Sequence, residues 1–196
     1  MGRISRTIGL AKASWKVLRR DRELLALPVL SFLVSVGSLA VLWVPIVAVA
    51  DLSGLSSEEG QINPVLALAG IASALILSIV GVFFKAALVA GAYERLTGGD
   101  PTIRSALNRA VGRLSGLLPW ALLSATVGLI LSALKDRAGR LGRFAVDLIG
   151  MAWEAASFLV IPAIVIDNHR AISGLKASAS LLKKTWGENL ASQIGF

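Results

Sequence analysis

The chain contains no cysteine, so it cannot supply a disulfide or a thiolate-held metal or iron–sulfur cluster. Its one histidine, His169, cannot form a metal cluster by itself. Charge is also scarce. Asp, Glu, Lys and Arg make up 16% of the 196 residues, whereas a soluble domain carries about a quarter. A water-soluble globule is excluded on that ground. P-loop, GxGxxG and HExxH signatures are missing, so nucleotide and zinc chemistry have no motif to rest on, and no cofactor or metal is expected.

Apolar residues dominate instead, at 55% of the chain with a mean hydropathy of +0.73. They fall into long runs. Leu24 to Ala50 holds 27 residues without charge, enough to cross a hydrocarbon core of about 30 Å. It is too long for the apolar core of a signal peptide. Pro28 lies near its start, and Pro45 is expected to kink or stop it. A polar loop from Asp51 to Gln61 follows, and Asn63 with Pro64 gives an N-cap and first-turn proline for a second helix. The predicted layout is an all-α integral membrane protein, one domain over 1–196. Transmembrane helices are expected over 24–50, 65–93, 114–134 and 144–166, with a basic amphipathic helix over 1–23 and interfacial helices over 101–113 and 171–185. Asp100 is the expected cap of the helix that begins at Pro101.

Small residues recur every fourth position as Gly70, Ala74 and Ser78, and again as Ser124, Gly128 and Ser132. Such stripes let helices approach closely in lipid. A second pattern joins Leu10, Ser14 and Val17 to Leu107, Val111 and Leu114 and to Leu175, Ala179 and Leu182. Each set has helical spacing and precedes an apolar run, which reads either as a thrice-used elbow helix on the membrane surface or as ordinary amphipathic periodicity. Trp15, Trp43, Trp120 and Trp186 are expected as interfacial anchors, and Trp153 as a packing residue.

Basic residues orient the chain. With a cytoplasmic N-terminus, inner segments collect fifteen Lys and Arg against four outside, namely Lys135, Arg137, Arg140 and Arg143. A cytoplasmic membrane location follows. The alternative for 114–166 is a re-entrant hairpin. Lys12, Lys16, Arg19, Arg20 and Arg22 are the expected contacts for anionic phospholipid. Nucleic acid is not an expected partner, because headgroups already supply the negative charge.

The stretches GLAKASWKVLRRDRELLALPVLS, RLTGGDPTIRSALNRA, WALLSATVGLIL and KTWGENLASQIGF resemble a prokaryotic multi-pass membrane family catalogued only as a domain of unknown function. The layout is similar to the membrane domain fused to some glycerophosphodiester phosphodiesterases, although no phosphodiesterase domain is present. The resemblance implies a helical inner-membrane protein without catalytic residues to carry over. It also implies further hydrophobic helices, so a fifth helix is expected to be cut short at Phe196.

Ionisable groups inside a bilayer are costly and mark the first places to look for function. By position in the runs, Lys85 lies about 12 Å and Glu154 about 18 Å from the inner ends of their helices, while Asp147 lies near the outer surface. Asp147 and Glu154 share a helix face. One reading makes Lys85, Glu154 and Asp147 a polar path in a transporter or channel component. The plainer one has Lys85 snorkelling to headgroups and the acids interfacial or hydrogen-bonded. The leading expectation is a non-enzymatic scaffold or accessory subunit that packs with a protein partner or with itself, and a lipid-acting enzyme is the third alternative. His169 and the Gly98–Gly99 pair are read as an interfacial residue and a turn.

Overall fold

A computed structural model describes the backbone of residues 22–49 and 63–194, and the side chains over 23–48 and 63–184. Among the described residues every element is helical: α1 (Arg22–Val49), α2 (Pro64–Leu96), α3 (Ile103–Val111), α4 (Leu114–Arg137), α5 (Arg140–Ser157), α6 (Val160–Val165) and α7 (Ala171–Ile194). Among them four helical stretches are long and apolar enough to cross a membrane, namely α1, α2, α4 and the Arg140–Val165 stretch that holds α5 and α6. The 33 residues of α2 reach about 50 Å at the helical rise, well beyond a hydrocarbon core of about 30 Å.

α1 runs through both Pro28 and Pro45 to Val49. Pro45 therefore does not stop it, in keeping with the tolerance of proline in apolar spanning helices. α2 begins as its sequence dictates, with Asn63 Oδ1 accepting from the Val65 N–H at 2.9 Å and Pro64 in the first turn. It is the hub of the bundle, packing against α1, α3, α4 and α6. The buried face of α2 includes Ala86, Ala87, Ala90 and Gly91 beside Val82 and Phe84, and at the small residues neighbouring backbones come close. Against it lie Leu24 and Leu27 of α1, Ala106 and Ala110 of α3, Leu117 and Ala121 of α4, and Val160 and Ile164 of α6.

Polar side chains tie the spans together where lipid offers no competing donors. Ser78 Oγ donates to the Ala121 carbonyl at 2.8 Å, joining α2 to α4. Trp43 Nε1 donates to Ser73 Oγ at 2.9 Å, joining α1 to α2. The indole N–H of Trp43 therefore has a protein partner. Trp120 is no interfacial anchor, being 3% exposed and stacked on Trp153 at 5.8 Å. Trp153 packs as expected. The small-residue stripes divide, since Ser78 links two helices while a side chain at Gly70 would meet nothing within 4 Å.

The cap of α3 also differs from expectation. Thr102 caps it in a box with Ser105, and Asp100 pairs with Arg95 at 2.7 Å instead. Thr102 and Ser105 exchange bonds with each other's backbone N–H, which leaves Asp100 and Pro101 outside the helix. Of the three repeated stretches, the first lies outside the described residues. The second is broken between α3 and α4 at Gly112 and Arg113, whereas the third lies within the unbroken α7. α7 is buried through Ala171, Gly174 and Ser178, and Ala179 faces outward. A side chain on Gly174 would meet Val160 and Ile164 at 3.4 and 3.5 Å. Small residues thus win over larger ones, because they bring α7 onto α6.

Gly116, at the start of α4, makes the tightest approach to the α6–α7 region. A Cβ there would lie 2.8 Å from Ile164 Cγ2 and 3.2 Å from the His169 carbonyl oxygen. Ile164 is buried and β-branched, so it has little room to yield. Gly116→Val is expected to cost about 1–3 kcal/mol through overpacking. Its thermal midpoint in detergent should fall by roughly 5 °C, while Gly70→Ala leaves it unchanged or raised.

Candidate functional site

Packing through alanine and glycine leaves a groove on one flank of the bundle. Its walls come from α2, α4 and α5, and the α5–α6 junction closes one end; its volume is about 820 Å³. Gly81, Ser124, Gly128 and Gly150 keep the walls low, and Trp120 and Trp153 form part of the lining. Lys85 projects from α2 and Glu154 from α5 into the same groove. Both are exposed. No side-chain hydrogen bond or ion pair engages either of them among the described residues.

Asp147 is placed differently. It accepts from Lys135 Nζ at 2.7 Å across the α4–α5 hairpin. That pair lines a second groove of about 480 Å³, and Glu154, Leu131 and Gly150 line both. The three ionisable residues singled out from sequence therefore border two adjoining grooves, with Asp147 already paired and the other two open. Both members of the Lys135–Asp147 pair are about half-exposed in the chain alone. Lys12, Lys16, Arg19 and Arg20, expected at anionic lipid, lie outside the described residues, and Arg22 opens α1 without a described side chain.

The groove owes its shape to a break that sequence reading missed. The fourth apolar run is two helices, with Phe158 and Leu159 forming the turn between α5 and α6. Pro162 is the cause. It has no N–H to give the Phe158 carbonyl, and its ring crowds that oxygen. The Phe158 N–H turns to Ala155 at 3.3 Å, and the Leu159 N–H is taken by Ser178 Oγ at 3.1 Å. Ser178 is 1% exposed, so the acceptor is built into the contact between α7 and the break. The signals were a proline inside an apolar run and a serine in register with two small residues on the next helix.

The break is expected to depend on that one hydroxyl. Ser178→Ala strands a buried N–H, which costs about 1–3 kcal/mol, read as a lower thermal midpoint in detergent. Pro162→Ala/Ser178→Ala should recover part of the loss, because a continuous helix gives the Leu159 N–H the Ala155 carbonyl.

No curated protein and no solved structure matches the chain. Its sequence does match one family model, over residues 65–196, and that stretch contains every wall of the groove. A match over well more than half of the chain places the protein in the family described as "Family of unknown function (DUF6159)".

Proposed function

We propose that the chain is a non-enzymatic accessory subunit of a membrane assembly, and that its groove receives a transmembrane helix of a partner protein. The observation that supports this is the pairing of low walls with two unengaged charges of opposite sign, Lys85 and Glu154, in one cavity of about 820 Å³. Acyl chains lying there leave both charges unsatisfied, at a cost of several kcal/mol each at the bilayer centre. A helix carrying polar side chains satisfies them, and Gly81 and Gly128, whose added Cβ atoms would meet nothing within 4 Å, leave room for its backbone. The cytoplasmic membrane of a prokaryote, a cytoplasmic N-terminus and anionic phospholipid around the N-terminal bases belong to the same proposal. So does the likeness of layout to the membrane domain of glycerophosphodiester phosphodiesterases. The excess of basic residues on the inner segments supports the orientation.

A second reading, a path for ions or polar solutes, draws on the lining that the two adjoining grooves share at Glu154, Leu131 and Gly150. It differs in what it requires of the isolated chain. Reconstituted alone in liposomes, a transporter component supports a flux that Glu154→Gln abolishes, whereas an accessory subunit supports none.

Photocrosslinking in native membranes tests the first reading. A photoreactive phenylalanine analogue at Ser124, inside the groove, should give a discrete protein adduct, and the same probe at Val41, which is 78% exposed on α1, should not. Lys85→Met/Glu154→Gln is expected to weaken the adduct about tenfold, the effect of losing about 1.4 kcal/mol of pairing. Adducts with lipid alone at Ser124, or equal protein adducts at both positions, overturn the proposal.

A further inference from the structure

A second cavity lies where three spanning stretches end. Its volume is about 410 Å³, and it is bounded by the last turns of α2, the α3–α4 turn and the end of α6. α2 ends at Leu96, α4 begins at Leu114 and the fourth span ends at Val165. These termini bring the pocket to one edge of the apolar zone, the depth at which phospholipid phosphates lie. Tyr93, Arg109 and Arg113, each carrying donor groups, line it together with apolar Ala90, Val165 and Ile166, of which Ile166 is the most open. Among the described residues no carboxylate lines it. Glu94 stands close by, its Oε2 accepting from Ser105 at 3.2 Å and forming an ion pair with Arg109 at 3.7 Å. That separation is too long for a hydrogen bond, so the Arg109 donors are not saturated. Arg113 donates one N–H to Asn168 Oδ1. This bond holds the guanidinium in place and leaves other donors of its five free.

The geometry points to a site for the phosphate of an anionic phospholipid, its oxygens held by Arg109, Arg113 and Tyr93 and its glycerol against Ile166 at the edge of the apolar zone. Two arginines beside a tyrosine suit a tetrahedral oxyanion, because planar guanidinium groups bind phosphate through paired N–H donors. A lipid brings its phosphate to this depth and covers Ile166 as well, which free phosphate does not. The site is separate from the groove and does not depend on what fills the groove.

The full chain, purified in a neutral detergent, is to be titrated with dioleoyl phosphatidylglycerol, with dioleoyl phosphatidylcholine and with inorganic phosphate, following thermal midpoint and lipid retained in native mass spectra. Phosphatidylglycerol is expected to raise the midpoint and stay bound, phosphatidylcholine to bind less tightly, and inorganic phosphate at millimolar concentration to have no effect. Arg109→Gln/Arg113→Gln should weaken phosphatidylglycerol by at least about tenfold. Arg104→Gln, which removes a charge from the same helix outside the pocket, should leave affinity within about twofold. If the double variant does not fold, Arg109→Gln and Tyr93→Phe are compared singly for a loss of lipid-dependent stabilisation. Equal protection by inorganic phosphate overturns the lipid assignment. Undiminished affinity in the pocket variants, or an equal loss in Arg104→Gln, overturns the site.

Discussion

Close approach to the alanine face of α2 is the constraint from which the rest of the structure follows. Between helices in lipid there is little hydrophobic drive, because acyl chains are as apolar as leucine, so association rests on distance and on the dispersion contacts it allows. Ala86, Ala87, Ala90 and Gly91 let four neighbours reach one helix. At Gly91 the fit is close enough that an added Cβ would fall 2.5 Å from Leu24 Cδ2, so that Leu24 would have to turn aside, and 3.5 Å from Ala106 Cβ. The same face explains why α3 docks on protein. Its inward residues, Ala106 and Ala110, are too small to reach into acyl chains but match α2.

The break at Phe158 and Leu159 divides a single apolar run into two parts with different work. α5 has no buried residue, whereas α6 buries Val160, Ala163, Ile164 and Val165 within six. α6 anchors the run in the core, and α5 is left free to stand away and form a wall of the groove. Non-helical backbone at membrane depth survives only where protein satisfies the freed groups, and Ser178 does so from α7. The charged turn at the other end of α5 carries its own restraint in Lys135 and Asp147.

Features set by composition along the chain were legible in the sequence. Long uncharged runs specify spanning helices wherever they fold, because every backbone polar group in lipid has to be paired within its own segment. The start of α2 was equally local, fixed by Asn63 and Pro64. Features decided by competition between neighbours were not legible. Asp100 and Thr102 are both good caps, and the reciprocal bond with Ser105 chose Thr102. Trp120 looks like an anchor by position, yet Trp153 stacks on it, and the serine that takes the indole N–H of Trp43 lies on the next helix. In α7 the eye follows Leu175 and Leu182, while the contact is made by Ala171, Gly174 and Ser178. Small residues mark the closest helix contacts here, while Leu27, Leu117 and Ile164 fill the core between them.

The open charges of the groove follow from where glycine falls on α4. α4 and α5 run antiparallel through a short turn, so Lys135 meets Asp147 near that turn, and Leu131 lies 4.0 Å from an added Cβ on Gly150. Two turns further from the hairpin, about 10 Å along the axes, the same register sets Gly128 opposite Glu154. A lysine there would repeat the first pair and close the groove; glycine leaves the carboxylate facing an empty wall, with Lys85 of α2 as the cation across the space. A buried or lipid-facing charge without a partner is destabilising and persists only where something else compensates for it. The packing that brings α2, α4 and α5 together thus supplies a paired charge where the hairpin needs fastening and withholds one where the groove stays open.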